Sequence, residues 1–407
     1  MMQKRRRVLI GVGGGIAAYK VCEIVSSLAK SDVEVRVVLT DRAEQFVSAL
    51  TFACLSRNQA YTDTDFWNES NPRPLHIELG EWADVILLAP LTANTLAKLA
   101  LGLADNLLTN VVLASSCPVL VAPAMNTDMW QQVSVQTNWR SLTSNSRYHL
   151  AHPTAGVLAC DRVGMGRMAE PSQLLSQVRS LLCTGGTRDL VGKHLLISAG
   201  STREFWDPVR FIGNPATGKM GIALAQAAGT RGATVTLVHG PMEERLLASL
   251  SDVVTYGVTS ASDMATALAE QASCADWLVM AAAVADVKPA EYHGHKLPKR
   301  SLPASVELSP VPDILAQLSH DRQPHQVMIG FAAQTGDIVP PALDKLKRKH
   351  LDVIVANPID QETSGFSSDT NQAVMLNRLG DRRDIPLCSK LEMAHSIYDF
   401  VLSTVSS

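Results

Sequence analysis

The first half of the chain alternates short apolar runs with a longer stretch whose apolar residues recur at helical spacing. Four of the runs are typical of strands: RVLIGV, VEVRVVLT, DVILLAP and PVLVAP. Between the first two lies GIAAYKVCEIVSSLAK, whose apolar residues are three and four positions apart, as in an amphipathic helix. Continuously apolar strands are typical of a parallel sheet that is covered on both faces. The pattern therefore predicts a doubly wound α/β sheet.

The same pattern starts again after TGGT at 184–187, which has the composition of a linker. The runs that predict strands are KHLLISAG, ATVTLVHG, ADWLVMAAAVAD, HQVMIGFAAQ and LDVIVANP. GKMGIALAQAAGTRG, after the first of them, has helical spacing. A length of 407 residues also suits two domains. We therefore predict two Rossmann-like three-layer α/β/α domains at 1–186 and 187–407, the first flavodoxin-like.

Ligands of such sheets bind in the loops that follow the carboxyl ends of the strands. The candidate positions in the first half are those just after Val12, Thr40, Ala89 and Ala122. Four segments are expected to be loops in which the chemistry lies: 76–84, 90–95, 123–130 and 156–168.

Composition and charge narrow the class of protein. Apolar residues make up 46% and charged residues 18%, and the net charge is −3, so no global charge favours nucleic acid or a membrane surface. The apolar run VLIGVGGGIAAYKV is interrupted by glycines and then by Lys20, unlike a signal peptide or a membrane span. Seven cysteines at wide spacing, with no CxxC, argue against a disulfide framework or a zinc site. They predict a cytoplasmic protein.

The glycine-rich segment GVGGGIAAYK, at 11–20, follows the first predicted strand. Glycines there let backbone N–H groups approach a phosphate at the start of a helix. The dinucleotide pattern G-x-G-x-x-G fails because Ile16 stands at its last glycine, and the Walker pattern fails because Lys20 follows Tyr19. A different phosphate-bearing cofactor and a tight structural turn both remain open.

Five segments of the first half together resemble the flavin-dependent cysteine decarboxylases: GGGIAAYK, HIELGEWAD, PLTANT, PAMNTDMW and GVLACDRVGMGRM. The second half resembles phosphopantothenate–cysteine ligases through SAGSTREFWDPVRFIGNPATGKMG, AAAVAD, PDIL, GFAAQT and KLKRKHLDVIVANP. Almost the whole chain thus resembles the bifunctional enzymes of coenzyme A biosynthesis. The resemblance implies CTP-dependent ligation of L-cysteine to 4′-phosphopantothenate. FMN-dependent decarboxylation of the product to 4′-phosphopantetheine would follow.

In the first half the resemblance implies one FMN site and one substrate site. The residues it assigns to the flavin are Gly14, Gly15, Ile16, Thr40, Thr92 and Asn94. His76 matches a catalytic histidine, Asn126 the residue that binds the substrate carboxylate, and Cys160 the proton donor. Decarboxylation leaves electrons that need an acceptor, and a flavin provides one by oxidising the neighbouring thiol. From the residues alone, the alternatives are a helix cap for Asn126, a structural histidine for His76 and a buried thiol for Cys160.

Cys160 lies in a segment that is rich in glycine. A thiol is a weak acid near neutral pH, which suits a proton donor. The glycines at 156, 164 and 166 predict a flap that closes over the flavin and excludes water. Arg167 would fix the flap or face a phosphate. The family pattern A-C-G-D is A-C-D-R here, so an aspartate replaces the glycine after the cysteine.

In the second half the resemblance implies that CTP activates the substrate carboxylate as an acyl-cytidylate, which the amine of cysteine attacks. Asn214 matches the residue tied to that intermediate, within NPATGK where the family has N-H-S-S-G-K. Lys296 matches the first lysine of the family's K-x-K-K, which is KLPK here. Asp286 is the candidate ligand of Mg²⁺.

The nucleotide residues that the resemblance implies are Met280, Ala281, Ala282, Asp286, Lys296, Pro312, Asp313, Ile314, Leu315, Phe331, Lys345 and Lys349. The lysines would neutralise the triphosphate. Lys345 and Lys349 are four residues apart and so lie on one helix face, for which a solvated surface is the alternative.

Other functions are weighed against this one. They are a flavin-dependent decarboxylase of another substrate, a non-catalytic flavin-binding regulatory subunit, and an NAD(P) dehydrogenase in the second half. SAGSTRE lacks the G-x-G-x-x-G fingerprint, which counts against the last. The resemblance also implies a homo-oligomer, a dodecamer with flavin sites between subunits, small-molecule substrates, and neither nucleic acid nor membrane as a partner.

Overall fold

The computed structural model describes residues 5–405, except 32, 70–71, 158–161, 361–364 and 366–367. The chain divides into two compact units between Thr187 and Arg188. Among the described residues, no helix is long and apolar enough to cross a membrane.

The first unit is built on a parallel sheet with a separate hairpin. Its strands are β1 (Arg6–Val12), β2 (Val33–Leu39), β3 (Ala60–Tyr61), β4 (Val85–Leu91), β5 (Val119–Pro123), β6 (Tyr148–Leu150), β7 (Thr154–Val157) and β8 (Val163–Arg167). Six of them form one sheet in the order β3-β2-β1-β4-β5-β6, and β7 pairs with β8 alone. Without the short β3, this is the flavodoxin-like order, with its switch point between β1 and β4.

Helices cover both faces of this sheet. They are α1 (Ala18–Ala29), α2 (Ala49–Ser56), α3 (Asp63–Phe66), α4 (Leu75–Trp82), α5 (Ala93–Leu101), α6 (Leu107–Ala114), α7 (Thr127–Gln131), α8 (Val133–Thr143) and α9 (Pro171–Thr184), with a 3₁₀ turn at Ala43–Gln45. The apolar side chains of α1 and α9 form one core with one face of the sheet, and those of α4, α5 and α6 form another on the opposite face. Burial on both faces explains the continuously apolar strands.

The second unit contains a larger sheet and two small hairpins. Its strands are β9 (His194–Ala199), β10 (Arg203–Phe205), β11 (Phe211–Gly213), β12 (Thr234–His239), β13 (Val253–Gly257), β14 (Trp277–Met280), β15 (Val287–Pro289), β16 (Leu308–Pro310), β17 (Val327–Gln334), β18 (Val353–Pro358), β19 (Thr370–Asn377) and β20 (Arg382–Ser389). The sheet order is β13-β12-β9-β14-β17-β18-β19-β20. The strands are parallel as far as β18, and β19 and β20 are antiparallel. The switch point lies between β9 and β14.

The helices of the second unit also cover both faces of its sheet. They are α10 (Lys219–Thr230), α11 (Glu244–Leu247), α12 (Ala261–Ala272), α13 (Ile314–Asp321), α14 (Val339–Arg348) and α15 (Lys390–Val405), with a 3₁₀ turn at Lys299–Ser301. α10 and α15 contribute to the core on one face, and α12, α13 and α14 to the core on the other.

The predicted fold class is confirmed, since both units are three-layer α/β/α. The expectation that 76–84 is a loop is wrong: most of it is α4, in which buried Leu75, Leu79 and Trp82 follow helical spacing. PLTANT is likewise no loop, because β4 runs through Leu91 and α5 starts at Ala93. The sequence pattern also missed the antiparallel pair β19 and β20.

Candidate functional site

The glycine loop after β1 is held tightly against neighbouring backbone. A Cβ on Gly13 would lie 2.5 Å from Pro90 O, and one on Gly14 would lie 2.3 Å from Arg42 Cβ. Gly13 N donates to Pro90 O at 3.2 Å, which ties the loop to the end of β4. Glycine is therefore required at 13 and 14 by close approach. Gly15 has more room, since its Cβ would be 3.8 Å from Pro90 Cγ.

This loop also presents open backbone donors. In the part of the chain that the structure describes, the N–H groups of Gly14, Ile16 and Ala17 have no hydrogen-bond partner. α1 begins directly afterwards, and Ala17 at its N-cap supplies no side-chain cap. Unpaired N–H groups at a helix start attract phosphate. The loop thus fits the phosphate of a cofactor, one of the two interpretations that the glycine pattern left open.

The other predicted flavin residues surround this loop at the same edge of the sheet. Thr40 is buried, and its N–H donates to Val12 O at 3.1 Å. Thr92 caps α5 by accepting a hydrogen bond from Thr95 N at 3.3 Å. Asn94 follows on the exposed side of α5, and the Ile16 side chain is 58% exposed. The carboxyl ends of β1, β2 and β4 therefore converge on one cradle.

Asn126 lies beside the cradle, after β5. Ala124 N donates to Leu91 O at 3.1 Å, which joins this loop to the end of β4. The Oδ1 atom of Asn126 accepts a hydrogen bond from Asp128 N at 2.8 Å and caps α7. The helix-cap interpretation of Asn126 is therefore confirmed. A ligand carboxylate would be bound by the amide NH₂ group, which can donate hydrogen bonds.

The hairpin of β7 and β8 packs on the Asn126 loop. Met125 N donates to Gly166 O at 2.9 Å. A Cβ on Gly166 would lie 2.2 Å from Met125 O, and one on Gly164 would lie 2.5 Å from Thr127 Oγ1. These glycines thus serve close packing. Arg167 donates to Glu170 at 3.1 Å, which agrees with the expected role of fixing the segment.

Cys160 lies outside the residues that the structure describes. Its flanking strands β7 and β8 form the hairpin on the Asn126 loop. The role of Cys160 as proton donor stays a prediction.

His76 is the second residue of α4. Its ring lies edge-on to that of Phe66, with centroids 5.5 Å apart. Its Nδ1 atom is buried and, among the described residues, has no hydrogen-bond partner. A buried nitrogen without a partner costs free energy unless a ligand or water satisfies it. Within one chain, no described contact joins His76 to the glycine cradle or to Asn126.

In the second unit a cavity of about 680 Å³ opens at the carboxyl edge of the sheet. Eleven of the twelve predicted nucleotide residues line it: Met280, Ala281, Ala282, Asp286, Pro312, Asp313, Ile314, Leu315, Phe331, Lys345 and Lys349. Asn214 lines it as well. Lys296 is exposed and does not, because Leu297 next to it is bonded to Asp207 and Arg210.

The side chain of Asn214 is hydrogen-bonded to the segment after β14, next to the switch point of this sheet. Its Nδ2 atom donates to the carbonyl oxygens of Ala283 at 3.3 Å and Val284 at 3.1 Å. Ala283 N in turn donates to Gly200 O at 2.8 Å. The asparagine thus ties the loop before α10 to the segment after β14, which a backbone hydrogen bond joins to the segment after β9 in the cavity lining.

The two predicted lysines on α14 and its C-cap differ in their partners. Lys345 Nζ donates to Phe331 O at 2.8 Å. Burial and the nearby charge of Lys349 lower the pKa of Lys345. Lys349 is buried and paired with Asp313, which also caps α13 through Ala316 N. The alternative of a solvated lysine face is therefore wrong for both residues.

The sequence interpretation missed two further lysines that line the cavity, Lys219 and Lys390. Lys219 lies between glycines in the segment GKMG at the start of a predicted helix, and this position is a signal that the sequence contains. Lys390 carries no such signal, because only the three-dimensional structure shows that it is buried.

No group of three or more His, Cys, Asp or Glu side chains that could hold a metal ion occurs in the described ranges. Asp286 is exposed at the cavity, and the other aspartate in its lining, Asp313, is paired with Lys349. Mg²⁺ in nucleotide sites is held by one or two carboxylates together with the phosphates. The donor set therefore suits Mg²⁺ only when the nucleotide supplies further oxygens.

Two family models match the chain: "Flavoprotein" over residues 1–183, and "DNA/pantothenate metabolism flavoprotein C-terminal domain" over residues 190–405. The fold, the phosphate cradle and these matches define a two-domain flavoprotein enzyme. The coenzyme A biosynthesis bifunctional protein CoaBC of Bacillus subtilis (strain 168) is 41% identical over 397 residues, 97% of this chain and 96% of that protein. The chain belongs to the family of bifunctional coenzyme A biosynthesis proteins.

A second relative and a solved structure are also similar to the chain. The protein of the same name from Vibrio vulnificus (strain YJ016) is 40% identical over 96% of both chains. The solved C-terminal domain of a CoaBC protein is 35% identical, covers 54% of this chain and 99% of its own, and gives a TM-score of 0.45. The predicted flavoprotein with two activities, phosphopantothenoylcysteine decarboxylase and phosphopantothenate–cysteine ligase, is thereby confirmed.

Proposed function

We propose that residues 1–186 form an FMN-dependent decarboxylase and residues 187–407 a CTP-dependent ligase. The observation that carries the proposal is that each unit has its own site at the switch point of its sheet, one a phosphate cradle and one a lysine-rich cavity. The second unit would join L-cysteine to 4′-phosphopantothenate. The first would then decarboxylate 4′-phosphopantothenoylcysteine to 4′-phosphopantetheine.

In the first unit, Gly14, Gly15 and Ile16 would hold the FMN phosphate through backbone N–H groups, with Thr40, Thr92 and Asn94 around the rest of the cofactor. FMN supplies a reversible two-electron acceptor next to the substrate thiol. Asn126 would orient the substrate carboxylate through its amide N–H donors. His76, whose buried Nδ1 atom has no hydrogen-bond partner among the described residues, would exchange protons with the substrate. Cys160 would return the last proton.

In the second unit, the lysines would neutralise the triphosphate of CTP, which favours attack of the substrate carboxylate at the α-phosphate. Lys345 and Lys349 would act from α14 and its C-cap, and Lys296 from its exposed loop. Asp286 would share Mg²⁺ with the phosphates. Pyrophosphate leaves when the acyl-cytidylate forms, and CMP leaves when the amine of cysteine attacks it. Asn214 would hold the intermediate, a role that its place at the cavity mouth supports.

A homo-oligomer, a dodecamer as the family resemblance implies, would complete the flavin sites between subunits. Two observations support it. Among the described residues of one chain, His76 makes no hydrogen bond or ring contact with the cradle, which is what a site shared between two copies would produce. In addition, several large apolar side chains near the carboxyl edge of the first sheet are exposed, including Ile16 58%, Tyr19 59% and Met129 47%.

The test is mass spectrometry of the products formed from 4′-phosphopantothenate, L-cysteine and CTP. The expected result is 4′-phosphopantetheine with release of CMP and CO₂. ATP should replace CTP poorly. If ATP serves equally well, the nucleotide assignment is wrong, and if the product keeps its carboxylate, the decarboxylase assignment fails.

We expect Gly14→Ala to weaken flavin binding tenfold or more, because the new methyl group would lie 2.3 Å from Arg42 Cβ and 2.9 Å from Arg42 C. Relieving such a clash costs about 1–3 kcal/mol. The measurement is flavin absorbance per mole of purified protein, with ligation as the check on the second unit. Gly229→Ala in α10 is the control, since its Cβ would meet nothing within 4 Å. Full flavin content in Gly14→Ala would contradict the cradle assignment.

A further inference from the structure

Two hairpins of the second unit are joined to its cavity. β15 and β16 pair with each other, and the residues on either side of the pair, Asp286 and Val311, line the cavity. Lys296 lies in the loop between these two strands. β10 and β11 form the other hairpin, which contacts β15, and Asn214 in the cavity lining follows β11. The two hairpins therefore carry two of the residues proposed for ligation.

Asp207 is fully buried in the turn that connects β10 to β11. Its Oδ1 atom accepts hydrogen bonds from Val209 N and Arg210 N, both at 2.8 Å, which closes the turn. Its Oδ2 atom accepts from Arg210 Nη1 at 2.6 Å and from Leu297 N at 3.3 Å. One oxygen of the carboxylate thus forms the turn, and the other connects it to the loop that carries Lys296.

Leu297, the neighbour of Lys296, is held at both of its backbone groups. Its N–H donates to Asp207, and its carbonyl oxygen accepts from Arg210 Nη1 at 3.3 Å. In the same loop, His293 N donates at 2.9 Å to the carbonyl oxygen of the residue before Asp207. Successive Cα atoms are about 3.8 Å apart, so fixing Leu297 also restricts the backbone of Lys296.

The carboxylate of Asp207 keeps its negative charge in this environment. Burial raises its pKa, but the hydrogen bonds from three backbone N–H groups and the charge of Arg210 together outweigh burial and lower the pKa of Asp207. The ion pair with Arg210 is therefore present at neutral pH. Hydrogen bonds between charged groups are about twice as strong as neutral ones, so this connection between the two hairpins is firm.

We infer that Asp207 is a positioning residue for ligation, because it fixes Lys296 relative to Asn214 through Leu297. The inference rests on the proposed ligase function and deepens it by a residue that is too buried to touch a substrate. Lys296 itself is exposed and lies outside the cavity lining. Its long side chain is flexible, so a fixed backbone limits where its ammonium group can meet the triphosphate.

The experiment is a double-mutant cycle of Asp207→Asn and Lys296→Met in the full chain, with kcat/KM for CTP as the measured quantity. Asparagine keeps one oxygen that can accept from Val209 N and Arg210 N, but its NH₂ group cannot accept from Leu297 N. We expect Asp207→Asn to lower kcat/KM about ten- to a hundredfold, the cost of misplacing a catalytic group. In the Lys296→Met background, the same substitution should lower it by less than about twofold.

Asp352→Asn is the matched control. Asp352 is another buried aspartate of this unit, and its Oδ2 atom accepts from Met328 N and from Arg322 Nη1. It precedes β18, at the amino end of the parallel strands, whereas the cavity lies at their carboxyl end. The control should lower the melting temperature but leave kcat/KM of the folded enzyme unchanged.

A loss that appears in the wild-type background and vanishes in the Lys296→Met background supports the inference. Equal losses in both backgrounds mean that Asp207 only stabilises the fold, and they overturn it. Normal kcat/KM in Asp207→Asn or in Lys296→Met overturns it as well. Should Asp207→Asn fail to fold, as circular dichroism would show, Arg210→Met decides on the same terms, since it removes the donor to Leu297 O.

The failure of the proposed function looks different. The unmodified chain would then form no phosphopantothenoylcysteine with CTP at all. Normal ligation by the unmodified chain, beside equal losses in both backgrounds, leaves the ligase function intact and removes only the positioning role of Asp207.

Discussion

Asn214→Asp should lower ligation at least a hundredfold while decarboxylation of supplied phosphopantothenoylcysteine continues at the wild-type rate. The amide NH₂ of Asn214 donates to the carbonyl oxygens of Ala283 and Val284. A carboxylate cannot donate to them and would instead repel both. It would also add negative charge where two anionic substrates must bind. Loss of one well-placed donor in an active site typically costs about 10²–10³ in rate.

Two further variants separate geometry from charge. Asn214→Ala removes the donors without adding charge, so its loss should be smaller than that of Asn214→Asp. Asn145→Asp makes the same chemical change on an exposed side chain of the first unit and should leave ligation unchanged. Because Asn214 is exposed, the melting temperature should stay close to that of the wild type. Unchanged ligation in Asn214→Asp would refute the role of this residue.

His76→Asn should lower decarboxylation by about 10²–10⁴-fold, the usual contribution of a general acid or base. Asparagine keeps a polar side chain near the buried Nδ1 position but cannot accept and return a proton near neutral pH. Flavin content and ligation should both be retained. The measurement is CO₂ release, together with the flavin absorbance after substrate is added to an anaerobic sample.

The control for this variant is His152→Gln, which replaces an exposed histidine of the same unit and should leave CO₂ release unchanged. The His76 ring also contacts Phe66, so the substitution could lower stability as well as catalysis. A thermal melt of the variant shows whether stability has been lost. If His76→Asn binds flavin and still releases CO₂ at the wild-type rate, the histidine has only a structural role.

The pattern of apolar residues was sufficient to predict where the parallel strands lie, because strands buried on both faces are apolar throughout. It failed for β19 and β20, the latter with a mostly exposed, charged start at Arg382 and Arg383. It also failed for α4, whose short apolar stripe was hidden inside a motif expected to be a loop. In β20 and α4 few residues carry the packing signal, whereas β19 is mostly buried and contains the apolar run AVML, so it was missed although the signal was present.

For the candidate sites, motif resemblance found residues that the fold brings together, such as Phe331 and Lys345, although 14 residues separate them in the sequence. It could not find Lys390, since a lysine at the start of a helix is ordinary in a sequence. Its place in the cavity lining depends on how α10 and α15 pack. Side-chain environment of this kind is a tertiary property.

The tight fit of Gly164 and Gly166 against the Asn126 loop has a consequence for how these segments move. Moving the β7–β8 hairpin away from this loop would break the hydrogen bond from Met125 N to Gly166 O and expose both backbone groups. The β7–β8 hairpin and the Asn126 loop are therefore expected to move together. A side chain at 164 or 166 would collide with Thr127 Oγ1 or Met125 O and hold the hairpin away from the loop.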